Sequence, residues 1–136
     1  MKKKFTYDLF VIGGGSGGIS CARNASKFTQ KVALANFVNP TPHGIKWGLG
    51  GTCVNVGCIP KKLMHQTSIL GEQLKEAKEA GWEVTTGQMN YQANLRKINM
   101  HIKQLNFGYL SDMIKNKIKY YNAFVKFIDN ETLLLK

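Results

Sequence analysis

The run Gly13-Gly14-Gly15-Ser16-Gly17-Gly18 follows directly on Tyr7-Asp8-Leu9-Phe10-Val11-Ile12, and few folds accept a glycine turn in that place. The six residues before it are apolar and rich in β-formers, which predicts a buried parallel strand. After it, from Ile19 to about Phe28, the small residues Ser20, Cys21, Ala22 and Ala25 predict a helix packed close on a sheet, with Cys21 a small hydrophobe on its buried face. Lys31-Val32-Ala33-Leu34-Ala35-Asn36 then predicts a second strand. A βαβ unit of about thirty residues results, the opening of a doubly wound α/β fold. In Gly13-x-Gly15-x-x-Gly18 the first glycine allows the tight turn and the second lets backbone approach a pyrophosphate. The third lets helix and strand pack closely while helix N–H groups face the anion. Ser16 can add a hydroxyl contact. A dinucleotide site is therefore expected, set against a bare glycine turn that binds nothing. About twenty residues on, an Asp or Glu normally accepts hydrogen bonds from the ribose hydroxyls; here the position is Asn36, whose amide oxygen accepts without charge assistance.

Beyond the second strand, Phe37 to Gly51 holds Pro40, Pro42, Gly44, Gly48 and Gly50, which predicts an ordered loop. Leu63, Thr67, Leu70, Leu74 and Ala77 fall on one helical face, with Gly81 at the C-terminal cap. Tyr91, Leu95, Ile98, Ile102, Leu105, Tyr109 and Met113 mark a second long helix. Both stripes read as packing faces rather than ligand sites. Lys119 to Ile128 and Thr132 to Leu135 predict two strands joined by a tight turn at Asp129-Asn130-Glu131.

Cys53-Val54-Asn55-Val56-Gly57-Cys58-Ile59-Pro60-Lys61-Lys62 carries the most chemistry. On a regular helix, residues i and i+5 have Cα atoms about 8.6 Å apart, beyond the roughly 7 Å that a disulfide can bridge. A bond between Cys53 and Cys58 thus needs a distorted helix entry, for which Gly57 supplies backbone freedom and Pro60 a missing N–H. Such a bond is of the labile kind, because Lys61, Lys62 and a helix N-terminus stabilise released thiolate. From the residues alone two other uses stay open: plain structural thiols, and a Cys₂His₂ metal set with His43 and His65, whose spacing matches no common zinc pattern. His101 suggests no role.

Nineteen Lys+Arg against 8 Asp+Glu give a net charge of +11, which first suggests nucleic acid or an acidic membrane as partner. All but Arg23 and Arg96 of those positive charges are lysines scattered through helical segments, so a solvated lysine surface is the preferred reading over phosphate recognition. No apolar run suits a membrane span, and Met1-Lys2-Lys3-Lys4 runs into a strand pattern rather than an apolar leader, so a soluble, cytoplasmic chain is expected. Three cysteines in 136 residues do not make a secreted disulfide scaffold.

The strand and glycine turn followed by Gly51-Thr52-Cys53-Val54-Asn55-Val56-Gly57-Cys58-Ile59-Pro60-Lys61-Lys62 resemble the N-terminus of the pyridine nucleotide-disulfide oxidoreductases, the family of glutathione reductase and dihydrolipoamide dehydrogenase. Within it, Phe37-Val38-Asn39-Pro40-Thr41-Pro42-His43-Gly44 and Leu63-Met64-His65-Gln66 are similar to the large, animal-type thioredoxin reductases; glutathione reductases have a shorter connection before the cysteines. The likeness runs through Gly81-Trp82 and Leu105-Asn106-Phe107-Gly108-Tyr109 to Asn122-Ala123-Phe124.

The resemblance implies a Rossmann-like FAD-binding fold, incomplete here, with residues 1–136 its N-terminal part and the NADPH-binding and dimerisation domains absent. It implies FAD, with the pyrophosphate on Gly13, Gly15, Ser16, Gly17 and Gly18 and the adenosine end near Asn36, Phe37 and Ala123. Thr52 and the segment from Gly57 to Lys61 would line the flavin. Cys58 would be the charge-transfer thiol facing the isoalloxazine, and Cys53 the interchange thiol. Lys61 would sit near flavin N5, favouring the anionic reduced flavin, and Tyr109 near the exchange site. The complete enzymes are homodimers that pass electrons from NADPH through FAD and the disulfide to thioredoxin, in cell redox homeostasis. The isolated chain is expected not to turn over. Alternative readings are a glutathione or thioredoxin-glutathione reductase segment and a non-catalytic FAD-binding module. Asn24, Thr29, Asn36 and Val125 depart from the family's usual residues, all toward the adenosine end.

Overall fold

The structure, a computed structural model, describes residues 4–85 and 87–136. The first three residues of the leading lysine run, Met1-Lys2-Lys3, lie outside the described residues. Strand β1 (Leu9–Ile12), helix α1 (Ser16–Ala25) and strand β2 (Val32–Ala35) form the expected βαβ unit. The helix begins three residues earlier than the sequence suggests, since Gly15 serves as its N-cap, and it ends at Ala25 rather than near Phe28. β1 pairs parallel to β2 with Leu9 opposite Val32 and Ile12 opposite Ala35. β2 is buried at all four residues, as a central strand should be.

Its other neighbour comes from the far end of the chain. Lys119–Tyr121 (β3) pairs parallel to β2, so the sheet order is β1-β2-β3. The single strand expected over Lys119 to Ile128 is therefore two. The chain leaves the sheet after Tyr121, and Val125–Phe127 (β4) pairs antiparallel with Leu133–Leu135 (β5) in a separate hairpin. A continuous run of β-formers does not reveal that its first half has a parallel partner and its second half a hairpin partner.

Between β2 and β3 lie a short helix α2 (Gly51–Asn55), α3 (Cys58–Glu79) and α4 (Tyr91–Lys115). Gly81 stands at φ +90° just past α3, the left-handed position that ends a helix. Asn90 caps α4, its side chain accepting the Ala93 N–H at 2.9 Å. α4 fills two adjoining cores. Met113, with Ile118 just beyond the helix, packs with Val11, Ile19, Ala22, Val32, Leu34 and Leu49 under the sheet. Ile98 and Ile102 pack with Val54, and Ile59 and Leu63 of α3 close over them. Tyr109, half-buried, touches both clusters.

Two sequence expectations fail on burial. Cys21 is exposed, not on the buried face of α1; Ile19 and Ala22 are the residues that face the core. The α3 stripe packs only at its start: Leu70 and Leu74 are exposed, as is Tyr91 at the start of α4. Periodicity reports which residues share a face, whereas burial depends on what is opposite, and α4 meets only the first half of α3.

Candidate functional site

The glycine turn has the local geometry its pattern demands. Gly13 adopts φ +108°, and its N–H donates to the Ala35 carbonyl at 2.8 Å. A Cβ on Gly18 would lie 1.9 Å from the Gly13 carbonyl oxygen, so only glycine lets α1 sit this close to the turn. At the front of α1, Gly15 provides no side-chain cap, Ser16 and Gly17 are exposed, and the first turn holds no acidic residue. The helix thus presents uncapped N–H groups and the positive end of its dipole, with open space beside Gly17. These residues fit a bound phosphate.

The second sequence motif is laid against the first. Gly50 N–H donates to the Gly14 carbonyl at 2.9 Å, and a Cβ on Gly51 would come within 2.7 Å of Gly15 Cα. From this crossing α2 carries Thr52, exposed, and Cys53, half-buried. Asn36, the residue after β2, turns its Oδ1 to the Gly14 N–H at 3.0 Å. Its backbone N–H donates to the Tyr121 carbonyl at 3.0 Å, which ties the end of β3 to the same corner. Phe37 meets Phe124 edge to face at 6.3 Å, and Ala123 is half-buried next to it in the chain.

The helix entry at the cysteines is broken as the spacing requires. α2 stops at Asn55 and α3 starts at Cys58, with Gly57 between them folded onto α2. A Cβ on Gly57 would meet Thr52 O at 3.0 Å and Cys53 Cα at 3.1 Å. The two cysteines consequently come together as free thiols in hydrogen-bonding contact. That side-chain bond to Cys58, then burial, then the charge of Cys58 raise the Cys53 thiol above its ordinary 9.0, while the Cys58 N–H and the Lys61 charge pull it down. Lys61, exposed in the first turn of α3, donates its backbone N–H to Gly57 O at 3.1 Å. His43 and His65 are exposed, and among the described residues no three His, Cys, Asp or Glu side chains gather where they could hold a metal ion.

Two residues given no role from sequence turn out to organise this corner. Asn55 Oδ1 accepts the Gly48 N–H at 3.0 Å, while its Nδ2 donates to Gly48 O at 3.0 Å and Gly51 O at 2.8 Å. Asn106, from the middle of α4, donates through Nδ2 to Leu49 O at 2.8 Å and to Asn55 Oδ1 at 3.2 Å. No spacing pattern could have paired them. Asn55 lies inside the cysteine motif, but its partner is 51 residues away.

Residues 7–133 match the sequence pattern of the family described as pyridine nucleotide-disulphide oxidoreductase. The chain is 54% identical over 127 residues to a protein named Thioredoxin reductase SEP1 from Emiliania huxleyi. The matched stretch is 93% of this chain and 26% of that relative, so the chain spans about a quarter of the relative's length.

Proposed function

We propose, from the premise that the chain belongs to the pyridine nucleotide-disulphide oxidoreductase family, that it is the FAD- and dithiol-bearing part of an NADPH-dependent thioredoxin-disulfide reductase. The observation that carries this reading is the contact of the two motifs. The Gly14–Gly50 hydrogen bond and the Gly15–Gly51 approach put the thiol pair beside a turn built for a phosphate. Residues 1–136 then form the N-terminal part of a Rossmann-like FAD-binding domain, an assignment that the parallel order β1-β2-β3 supports.

In this reading the N–H groups at Gly15, Ser16, Gly17 and Gly18 hold the pyrophosphate of FAD. Gly13 shapes the turn, Asn36, Phe37 and Ala123 border the adenosine end, and Thr52, Gly57, Cys58 and Lys61 line the flavin. When bound, the flavin supplies two-electron transfer between NADPH and the cysteine pair. The chain's own chemistry is thiol–disulfide exchange. The Cys53 thiolate attacks one sulfur of the thioredoxin disulfide and expels the other as thiolate. Cys58 thiolate then attacks Cys53 Sγ in the mixed disulfide, releasing reduced thioredoxin and closing a Cys53–Cys58 bond. Two electrons leave the cysteine pair and two enter the substrate. The hydrogen bond to Cys58 raises the Cys53 thiol and so lowers its thiolate fraction, and the Lys61 charge opposes that by favouring the thiolate. No helix among the described residues is long and apolar enough to cross a membrane.

The test is the visible spectrum of the chain reconstituted with FAD. Cys58→Ser should change the flavin band of the reduced protein, and Cys21→Ser should not. A flavin spectrum indifferent to Cys58, or no flavin bound at all, would reject the reading. The 136 residues by themselves are expected to show no NADPH-dependent thioredoxin reduction, because they contain one Gly-x-Gly-x-x-Gly turn, already assigned to FAD.

A further inference from the structure

The dithiol loop is held in place from a distance. α2 has only five residues, ends in a break, and would not hold its shape alone. Its position comes from Asn55, which makes three hydrogen bonds to loop backbone and accepts a fourth from Asn106, so its carboxamide oxygen accepts twice and its nitrogen donates twice. Asn106 spends both Nδ2 donors on this corner, one on Leu49 O and one on Asn55 Oδ1. The fit is close: a Cβ on Gly48 would lie 2.4 Å from Asn106 Cγ. Beneath the network, Val54 packs against Ile98 and Ile102 of the same α4. Cys53 lies between Val54 and the loop, while Cys58 begins α3.

We propose that Asn106 is a positioning residue for the thiol pair: acting from α4 through Asn55 and the Gly48–Gly51 loop, it fixes Cys53 at the separation from Cys58 that closing a disulfide requires. The inference rests on the reading that Cys53 and Cys58 exchange disulfides. A pair held at bonding distance forms its disulfide more readily than a pair that wanders, because the ordering entropy has been spent in folding. Releasing Asn106 should therefore make the Cys53–Cys58 disulfide easier to reduce without unfolding the chain. A satisfied polar network of this kind rigidifies the segment it ties and acts as a unit, so loss of one member should loosen the whole corner.

The equilibrium to measure uses glutathione disulfide as oxidant. One cysteine thiolate attacks it and releases one glutathione, then the other cysteine attacks the mixed disulfide and releases the second. Two electrons pass from the pair to glutathione, and two thiols' protons go with the released glutathiones. The native 136-residue chain, Asn106→Asp and a core control that makes none of the corner's hydrogen bonds, Ile118→Val, are equilibrated with mixtures of glutathione and its disulfide, and the intramolecular disulfide is quantified by mass after alkylation. Asp keeps the shape of Asn but loses both donors and faces two oxygens. The exchange constant of Asn106→Asp should fall at least tenfold, a rise of about 30 mV in the two-electron potential, while Ile118→Val, destabilised but with the hydrogen-bond network intact, stays within twofold of native. Asn106→Ser, which retains one shorter donor, should fall between and serves if the Asp variant does not fold. Native-like constants in the Asn106 variants overturn the proposal, and so does an equal shift in Ile118→Val, which would make the effect one of general stability. A native chain that forms no intramolecular disulfide rejects the underlying dithiol reading itself.

Discussion

The Oδ1 of Asn36 accepts the backbone N–H of Gly14 at 3.0 Å, so the residue just past the second strand grips the glycine turn. An acidic residue there would do so with charge assistance and keep a second oxygen for sugar hydroxyls. The neutral carboxamide also approaches the Tyr120 hydroxyl, which opposes the upward push of burial on that phenol. Asn36→Asp should accordingly raise the affinity of the chain for FAD by about tenfold, the gain expected when a neutral acceptor becomes a charged one. Asn36→Ala should lower it by freeing the turn. Quenching of flavin fluorescence on titration measures both, and an Asp variant that binds no more tightly than native would show that position 36 does not meet the sugar.

The fourth and fifth glycines of the turn, Gly17 and Gly18, should respond to alanine with opposite signs. In Gly18→Ala the new Cβ meets the Gly13 carbonyl, a backbone atom, at 1.9 Å. Overpacking of that kind costs about 1–3 kcal/mol and outweighs the helix-propensity gain of about 1 kcal/mol. In Gly17→Ala the Cβ enters open space, so the propensity gain stands and the chain should be stabilised by about 0.5–1 kcal/mol. Urea denaturation of the two variants checks the pair, and stabilisation by Gly18→Ala would contradict the packing described.

That contrast also shows what a sequence can reveal. Gly18 and the break at Gly57 were legible because the reason for each is local: a turn between strand and helix, and two cysteines too far apart on an unbroken helix. The exposure of Cys21 was not, because it lies at the border between the polar stripe of Ser16, Ser20, Arg23 and Asn24 and the face of Ile19 and Ala22, where a small side chain suits either side. The split after Tyr121 was hidden for another reason. β3 finds its partner in β2, more than eighty residues earlier, and nothing in a β-rich run announces how far away its partner lies. Asn106 belongs to the same class, since its value lies in the Leu49 carbonyl and the Asn55 side chain, which reach it only once their segment folds against α4.

Tyr7 and Tyr121 share a hydroxyl–hydroxyl hydrogen bond, and Phe10 of β1 stacks against Tyr121 of β3 across the central strand β2. The bond to Tyr121 is the main cause, ahead of burial and charge, that pushes Tyr7 from 10.0 up to about 12. The folded state therefore holds this proton more tightly than the unfolded chain does. The stabilisation is fully present below pH 10 and is lost as pH rises through 12. Ultraviolet titration should show one tyrosine ionising near 12, and Tyr121→Phe should bring it back toward 10. A Tyr7 transition unmoved by that substitution would mean the two hydroxyls do not share a proton.

The thiol pair supplies the last prediction, in which two neighbours act on one group in opposite senses. Cys58 raises Cys53 chiefly by hydrogen bonding, whereas the Lys61 charge lowers it. Alkylation by iodoacetamide follows the thiolate fraction, so labelling of Cys53 should rise with a midpoint above 9.0. Peptide mapping distinguishes it from the exposed Cys21. Cys58→Ala deletes the side-chain bond and the like charge, and the midpoint should fall; Lys61→Met deletes the stabilising cation, and the midpoint should climb further. A midpoint that Cys58→Ala leaves in place would mean the thiols are not in contact, and one that Lys61→Met lowers would mean the lysine does not face Cys53. Because Cys53 is the thiol that meets the substrate in the proposed exchange, the same pair of variants should shift its rate at fixed pH, upward for the first attack in Cys58→Ala and downward in Lys61→Met.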